Sequence, residues 1–161
     1  MNKSVDVLVV GQGIAGTCLA FELIKEGKQV LVVDDGHKHC SSIVAAGIVN
    51  PLVFKRLTKS WKVDSLLPSM HLFYKLVEGI IDDKLVYSVE ILKLFSSIQE
   101  QNTWIEKSDV LGFEEHLGDA LSQNETEAKY NIKAPFGGGV VKSSCYIDLP
   151  KFLNKSKAFF E

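Results

Sequence analysis

The feature that most constrains the fold of this chain is a glycine-rich turn between two short apolar segments near the N-terminus. Residues 5–10 are rich in β-branched side chains and predict a strand buried on both faces, as in a parallel sheet. After the turn, apolar residues recur at helical spacing as far as Gly27, a typical helix-ending residue. Residues 29–33 predict a second short strand. This order predicts a βαβ unit with a right-handed crossover.

The turn has the pattern Gly-x-Gly-x-x-Gly, and each glycine has its own physical reason. Gly11 permits a tight turn, Gly13 leaves room for a pyrophosphate beside the backbone, and Gly16 lets the helix lie close to the strands. We expect the N–H groups of Ile14, Ala15 and Gly16 to bind this anion at the positive end of the helix. The pattern therefore predicts a dinucleotide site rather than an empty tight turn.

An acidic residue follows the second predicted strand at the spacing that such a site requires. Asp34 lies about 20 residues after the turn, where a carboxylate accepts hydrogen bonds from the adenosine ribose. A negative charge there repels a 2′-phosphate and so disfavours NADP. Asp35 is the competing candidate for this role. Residues 5–34 are thus predicted to bind the adenosine-diphosphate half of FAD, with NAD as the alternative.

The rest of the chain changes character, because the alternation of parallel strands and helices stops after Asp34. The patterns predict an extended loop with a short helix near 42–46, an amphipathic helix over 63–80 that Pro68 could kink or delay, one or two strands within 84–95, a short helix over 98–107, a loop or short helix over 117–129, antiparallel strands at 130–132, 139–142 and 144–147, and a final helix over 151–160. We therefore predict an α/β fold in which a Rossmann-like βαβ unit precedes part of a mixed, mainly antiparallel sheet with helices.

The N-terminal pattern resembles the FAD-dependent oxidoreductases of the D-amino acid oxidase family, which includes glycine oxidase and sarcosine oxidase. The resemblance begins with residues 7–16 and continues to Asp34, where the family usually has Glu. A weaker match covers residues 138–141 and 146–153, which resemble the family's crossing from the substrate domain back to the cofactor domain.

A second stretch that resembles this family is the run of small residues over 41–51. In the family, the matching loop lies beside the cofactor, and small side chains let the backbone approach the flat flavin ring. The resemblance implies that hydroxyls of Ser41 and Ser42 contact the pyrophosphate. It also implies that Ala46, Gly47 and Ile48 run beside the flavin.

The resemblance implies an FAD-dependent enzyme that oxidises a C–N bond of a small amine or amino-acid substrate by hydride transfer to the flavin. It implies an FAD-binding part over residues 1–80, a partial substrate or cap region over 81–145 and a return helix over 146–161. We expect the chain to be the N-terminal portion of a longer protein. The sequence identifies no catalytic acid or base. The alternatives are an NAD-linked dehydrogenase and a non-catalytic or truncated dinucleotide-binding module.

Composition and charge argue against several other classes of function. The net charge of −2 favours neither nucleic acid nor an anionic membrane surface, and no apolar run is long enough to span a bilayer. The three widely spaced cysteines predict no disulfide framework, which suggests a cytoplasmic setting. Residues 37–40 contain metal-ligand types but lack a second ligand pair, so we predict a solvated loop near the phosphates and no metal site.

One basic and aromatic cluster stands apart from the glycine-rich turn; it contains Lys55, Arg56, Lys59, Trp61 and Lys62. We expect a solvated helix start, and the alternative is a surface that guides an anionic substrate or a tRNA, since tRNA-modifying oxidases are a related flavoenzyme type. The exposed edge of a short sheet also makes a homo-oligomer plausible.

Overall fold

A computed structural model describes residues 4–36 and 40–161. The described elements are, in chain order, β1 (Val7–Val10), α1 (Ile14–Lys25), β2 (Val30–Val33), α2 (Ser41–Val44), β3 (Ile48–Val49), β4 (Leu52–Val53), β5 (Thr58–Lys59), α3 (Val63–Ile81), β6 (Val86–Ser88), β7 (Ile91–Leu94), α4 (Ile98–Ser108), β8 (Leu117–Leu121), α5 (Gln123–Tyr130), β9 (Gly138–Val141), β10 (Cys145–Ile147) and α6 (Leu149–Phe160).

The chain divides into two compact units, each built from segments that are distant in sequence. The first unit contains the chain up to Gly47, together with His71–Val86 and Ile147–Glu161. The second unit contains Ile48–Met70 and Tyr87–Tyr146. The strands form four small sheets, in the orders β1-β2, β3-β10-β6, β4-β5 and β7-β9-β8. The mixed α/β architecture is the one that the sequence predicts.

The first unit contains the predicted βαβ unit. β1 and β2 pair in parallel, from Val7 opposite Val30 to Val10 opposite Val33. Helix α1 connects them and ends in a Schellman motif, in which Gly27 N–H donates to the carbonyl of Ile24 and Lys28 N–H donates to that of Leu23. Gly27 has a φ of +76°, so a residue without a Cβ suits this position.

The prediction that the first strand is buried on both faces is wrong, and the second strand, predicted to be buried, is also exposed on one face. Their side chains alternate instead, and Val9 is buried while Leu8 and Val10 are 56% and 79% exposed. On β2, Leu31 and Val33 are also exposed. Helix α1 packs against these two strands, and within the described residues no element covers the opposite face. A continuous apolar run favours burial of both faces of a strand, but it does not show which element packs against each face.

A cluster of aromatic side chains holds the helices of the first unit together. Phe21 of α1 is 1% exposed. Its ring lies 6.3 Å from those of Phe73 on α3 and Phe152 on α6, measured between centroids. The rings of Phe159 and Phe160 lie at 5.4 and 5.1 Å from the same side chain. Truncation of a buried aromatic side chain to Ala typically lowers the free energy of unfolding by roughly 3–5 kcal/mol. The contacts of this cluster therefore hold α6 against α1.

The core of the second unit lies under the antiparallel sheet β7-β9-β8. Trp104 of α4 is 1% exposed, and its indole N–H donates to the carbonyl of Gly118 at 3.0 Å. Its ring lies flat against β9, where a Cβ added to Gly139 would come within 2.3 Å of the indole. The glycine in this strand therefore makes room for a large side chain from the neighbouring helix.

Two segments differ from their predicted secondary structure. Within 117–129, predicted as a loop or short helix, the first half is strand β8 and the second half is α5. A capping box of Ser122 and Glu125 starts that helix. Residues 130–132, predicted as a strand, are instead the end of α5 and a left-handed cap at Asn131, which has a φ of 51°. The prediction failed because three apolar or aromatic residues do not distinguish a strand from a helix end.

Candidate cofactor-binding site

The glycine-rich turn joins β1 to α1 in a conformation that depends on two of its glycines. Gly11 has a φ of +95°, a conformation that side chains with a Cβ rarely adopt, and its N–H donates to the carbonyl of Val33 at 2.7 Å. A Cβ on Gly16 would lie 2.0 Å from the carbonyl oxygen of Gly11. The first turn of α1 is therefore in direct contact with the backbone of the preceding turn.

The head of α1 faces α2, the helix that follows β2. Ile14 N–H, one of the N–H groups left free by helix geometry, donates to the Oγ of Ser42 at 3.0 Å. A Cβ on Gly13 would lie 3.1 Å from the same oxygen. Gly13 is the N-cap residue of α1 and offers no side-chain cap of its own. A Cβ at this position would crowd the Ser42 hydroxyl, so the absence of a side chain at Gly13 lets α2 approach the head of α1.

The carboxylate of Asp34 lies beside this turn, directly after β2. One of its oxygens accepts a hydrogen bond from Gln12 N–H at 2.7 Å, and the other accepts one from Gly36 N–H at 2.7 Å. These two bonds hold the carboxylate in a defined orientation beside the turn. The geometry therefore brings an acid and the glycine-rich turn together, although they are separated by 22 residues along the chain.

A cavity of about 390 Å³ lies beside the turn within the first unit, and Ile14, Ala15, Gly16, Ser41 and Ser42 are not among its lining residues. Its volume lies in the range of small-molecule and cofactor sites, roughly 300–1,000 Å³. Among its lining residues are the turn, Asp34 and Asp35, and it also includes Leu153, Asn154 and Lys157 of α6. Sequence reasoning missed these last three residues, because nothing in the local pattern of α6 shows that it packs beside α1.

The predicted site residues after β2 are placed differently from those of the turn. Ser41 and Ser42 begin α2, and Ser42 reaches the head of α1. Ala46, Gly47 and Ile48 follow that helix and do not line the cavity. Gly47 has a φ of +71°, and its carbonyl accepts a hydrogen bond from Ile147 N–H at 2.9 Å. Of residues 37–40, only Cys40 lies within the described residues, and it lines the cavity.

The described part of the chain brings together no group of three or more His, Cys, Asp or Glu side chains that could hold a metal ion. Among residues 4–36 and 40–161, no helix is both long and apolar enough to cross a bilayer.

A comparison with known protein families shows the family to which this chain belongs. A family model described as FAD dependent oxidoreductase (DAO) matches residues 6–155. This chain belongs to that family. The predicted resemblance to D-amino acid oxidase-type proteins is thereby confirmed, and FAD, the cofactor predicted over NAD, is the cofactor of the DAO family.

Solved structures show the same fold at low sequence identity. Glycine oxidase from Geobacillus kaustophilus matches with a TM-score of 0.72 and 18% identity, over 94% of this chain and 43% of that one. Iminodiacetate oxidase from Chelativorans sp. BNC1 matches with 0.70 and 19%, over 95% and 44%. L-α-glycerophosphate oxidase from Mycoplasma pneumoniae, solved with FAD bound, matches with 0.55 and 19%, over 99% and 42%. The DAO-family chain described here thus spans less than half the length of these proteins.

Proposed function

We propose that this chain binds FAD through its first unit and forms the cofactor-binding part of an oxidoreductase that oxidises a C–N bond of a small amine or amino acid. The observation that carries the proposal is the placement of Asp34 beside the Gly13 turn within one cavity. Family membership supports FAD as the occupant. The amine substrate class rests on neighbours such as glycine oxidase and iminodiacetate oxidase.

In this proposal, the pyrophosphate of FAD lies at the head of α1. The N–H groups of Ala15 and Gly16 are the candidate backbone donors to it, because Ile14 N–H already donates to Ser42, and the helix dipole adds a favourable potential. The hydroxyl of Ser42 accepts a hydrogen bond from Ile14, so its own O–H proton is available to a phosphate oxygen. Ser41, the neighbouring hydroxyl at the start of α2, is a second candidate donor.

The adenosine ribose lies against Asp34, whose carboxylate is already oriented by two backbone N–H groups. Asp35 lines the same cavity and remains the alternative acid. Lys157 of α6 also lines the cavity, and its cation offsets part of the negative charge of the two carboxylates and the diphosphate. These residues bind and orient the cofactor.

The flavin ring would supply the redox chemistry by accepting a hydride from the substrate carbon next to nitrogen. The role of this chain there is to let its backbone approach the ring through Ala46, Gly47 and Ile48, as the family resemblance implies. We assign no acid or base, since such a reaction depends mainly on the position of the substrate. The second candidate function is a cofactor-binding module without turnover.

Titration of the cofactor-free protein with FAD and with NAD tests the binding step. We expect quenching of flavin fluorescence on binding, tighter binding of FAD than of NAD, and a loss of about tenfold or more in FAD affinity for Asp34→Asn, since hydrogen bonds to charged groups contribute roughly 1.5–3 kcal/mol. Asp119→Asn, which changes an exposed acid of the second unit, is the matched control. The proposal fails if FAD does not bind or if both variants bind it equally.

A second experiment separates the enzyme from the binding module. The FAD-loaded chain is mixed anaerobically with glycine, sarcosine or iminodiacetate, and the flavin absorbance near 450 nm is followed. Bleaching by any of these amines supports C–N oxidation by this chain. Stable yellow colour with all three, in a protein that binds FAD tightly, supports the module.

A further inference from the structure

A second cavity, of about 320 Å³, is lined only by residues of the second unit. It lies between the tip of the β4-β5 hairpin and the beginning of α4. The hairpin contributes Phe54, Lys55 and Arg56, and the helix contributes Trp104. The basic cluster that the sequence shows at 55–62 therefore does not simply surround a helix start, because two of its cations line a cavity.

The charges in this cavity do not cancel. Lys93 and Glu100 line it as a salt bridge at 2.7 Å, so they neutralise each other. Lys55 and Arg56 are exposed, and neither forms an ion pair with any other residue that the structure describes. Three cations and one carboxylate leave a net charge of +2 in the lining. An anion that enters the cavity therefore meets two cations that form no ion pair within residues 4–36 and 40–161.

The start of α4, which lines the same cavity, is capped by side chains of the protein itself. Ser97 is the N-cap residue, and its hydroxyl accepts a hydrogen bond from Glu100 N–H at 3.2 Å. The carboxylate of Glu100 in turn accepts a hydrogen bond from Ser96 N–H at 2.6 Å. The protein's own side chains thus bind two backbone groups at this helix end, Ser97 that of Glu100 and Glu100 that of Ser96. Recognition of an anion falls to Lys55 and Arg56.

The hairpin tip that carries these two cations is held in a fixed conformation. Leu57 is buried and has a φ of 44°, in the left-handed region that a leucine rarely occupies. Lys107 of α4 donates from its Nζ to the carbonyls of Arg56 and Leu57, at 3.1 and 2.5 Å. A strained backbone that is held by burial and by hydrogen bonds often marks a functional position. Here it fixes the backbone from which Lys55 and Arg56 project.

The wall of the cavity also contains two aromatic side chains, Phe54 and Trp104, beside the polar residues Ser96, Ser97, Gln99 and Thr103. Trp104 uses its only polar atom in the hydrogen bond to Gly118, so the part of the indole that lines the cavity is apolar. Phe54 lines the cavity from the hairpin side and is half-buried. Cationic groups and an aromatic wall in one small cavity are the features that recognise an anionic group attached to an apolar body.

We propose that this cavity is a binding site for a small organic anion, a carboxylate or phosphate carried on an aromatic or other apolar body. Arg56 pairs with the anionic group through its planar guanidinium, and Lys55 adds a second positive charge. The body of the ligand lies against Phe54, and the buried Trp104 lies behind this part of the wall. The proposal is independent of FAD binding, because every lining residue belongs to the second unit.

The chain provides its own reporter for this site. It contains two tryptophans, and the other one, Trp61, is 76% exposed. In the full chain with Trp61→Phe, the fluorescence of Trp104 is titrated with phenyl phosphate, phenylacetate, benzyl alcohol and inorganic phosphate, without FAD. We expect a saturable change in the millimolar range with at least one of the two ring-bearing anions. Benzyl alcohol and inorganic phosphate should bind at least tenfold more weakly. A comparison of phenylacetate with phenyl phosphate shows whether the site prefers a carboxylate or a phosphate.

Variants complete the test. In the same background, Lys55→Gln with Arg56→Gln should lower the affinity at least tenfold, while the matched control, Lys62→Gln with Lys133→Gln, should leave it unchanged. Arg56→Lys, which keeps the charge and disturbs the fold less, should lower the affinity more modestly. Equal binding of benzyl alcohol and the anions, equal affinity in the two double variants, or no response to any probe would overturn the proposal.

Discussion

Replacement of Gly16 by alanine tests the physical basis of the cofactor-binding turn. The added Cβ would lie 2.0 Å from the carbonyl oxygen of Gly11 and 3.4 Å from Cγ1 of Val9. Non-bonded Cβ contacts below 3.0 Å essentially do not occur, so the head of α1 or the turn must move by at least 3.0 − 2.0 = 1.0 Å. The contact is with backbone, which cannot rotate away as a flexible side chain can.

The expected free-energy change is the balance of two effects. Forced overpacking costs about 1–3 kcal/mol, and a backbone contact belongs at the upper end of that range. Alanine gains roughly 0.5–1 kcal/mol over glycine inside a helix. We therefore expect Gly16→Ala to lower the free energy of unfolding by about 2 kcal/mol. If the proposed pyrophosphate site is correct, the same movement displaces the N–H groups at the helix head and weakens FAD binding.

Urea unfolding followed by far-UV circular dichroism measures this change, and Gly79→Ala is the matched control. Gly79 lies inside α3, and a Cβ there would meet no atom within 4 Å. That variant should gain about 0.5–1 kcal/mol, because only the helix preference changes. A Gly16→Ala protein as stable as the unmodified chain would refute the close contact and the reasoning built on it.

Three other predictions follow from the structure. Burial raises the pKa of the Glu100 carboxyl, but the hydrogen bonds to Lys93 and Ser96 outweigh burial and hold this pKa below its ordinary value of 4.5. The stability that this carboxylate contributes above pH 4.5 should therefore be lost as the pH falls through the folded-state pKa. Glu100→Gln should remove that part of the decline in the urea midpoint. Burial raises the pKa of Cys18 to about 11, so a disulfide reagent at pH 8 should label this thiol much more slowly in the folded than in the urea-unfolded chain. Val10 is 79% exposed on the uncovered sheet face, so Val10→Thr should reduce binding of an apolar dye and any self-association seen by sedimentation, without loss of thermal stability.

The parts of this fold that sequence analysis predicted are those with short-range causes. Strand β1, helix α1 and strand β2 follow from apolar periodicity and from glycines at the turn and at the helix end. Gly11 and Gly27 both have positive φ values, which explains why glycine occurs at these positions. The continuous helix α3 also agrees with its predicted span, and Pro68 lies within it.

The parts that sequence analysis missed depend on contacts between distant segments. Strand β8 has little strand character of its own, with Gly118 and Asp119 near its centre, and it forms because it pairs with β9. The exposure of one face of β1 was not predicted, since an apolar run does not show which elements pack against each face of a strand. The cavity over 54–57 likewise depends on a bond from Lys107, about 50 residues away.

The candidate site shows the same division. The sequence by itself determined the glycine turn, the helix that follows it and an acid one strand later, because backbone sterics and residue spacing act over short distances. Only the tertiary structure decided that Asp34 contacts Gln12, that Ser42 reaches Ile14 and that α6 lines the cavity. The position of α6 arises from packing of the aromatic cluster around Phe21, and all three contacts join side chains or backbone groups that are far apart in sequence.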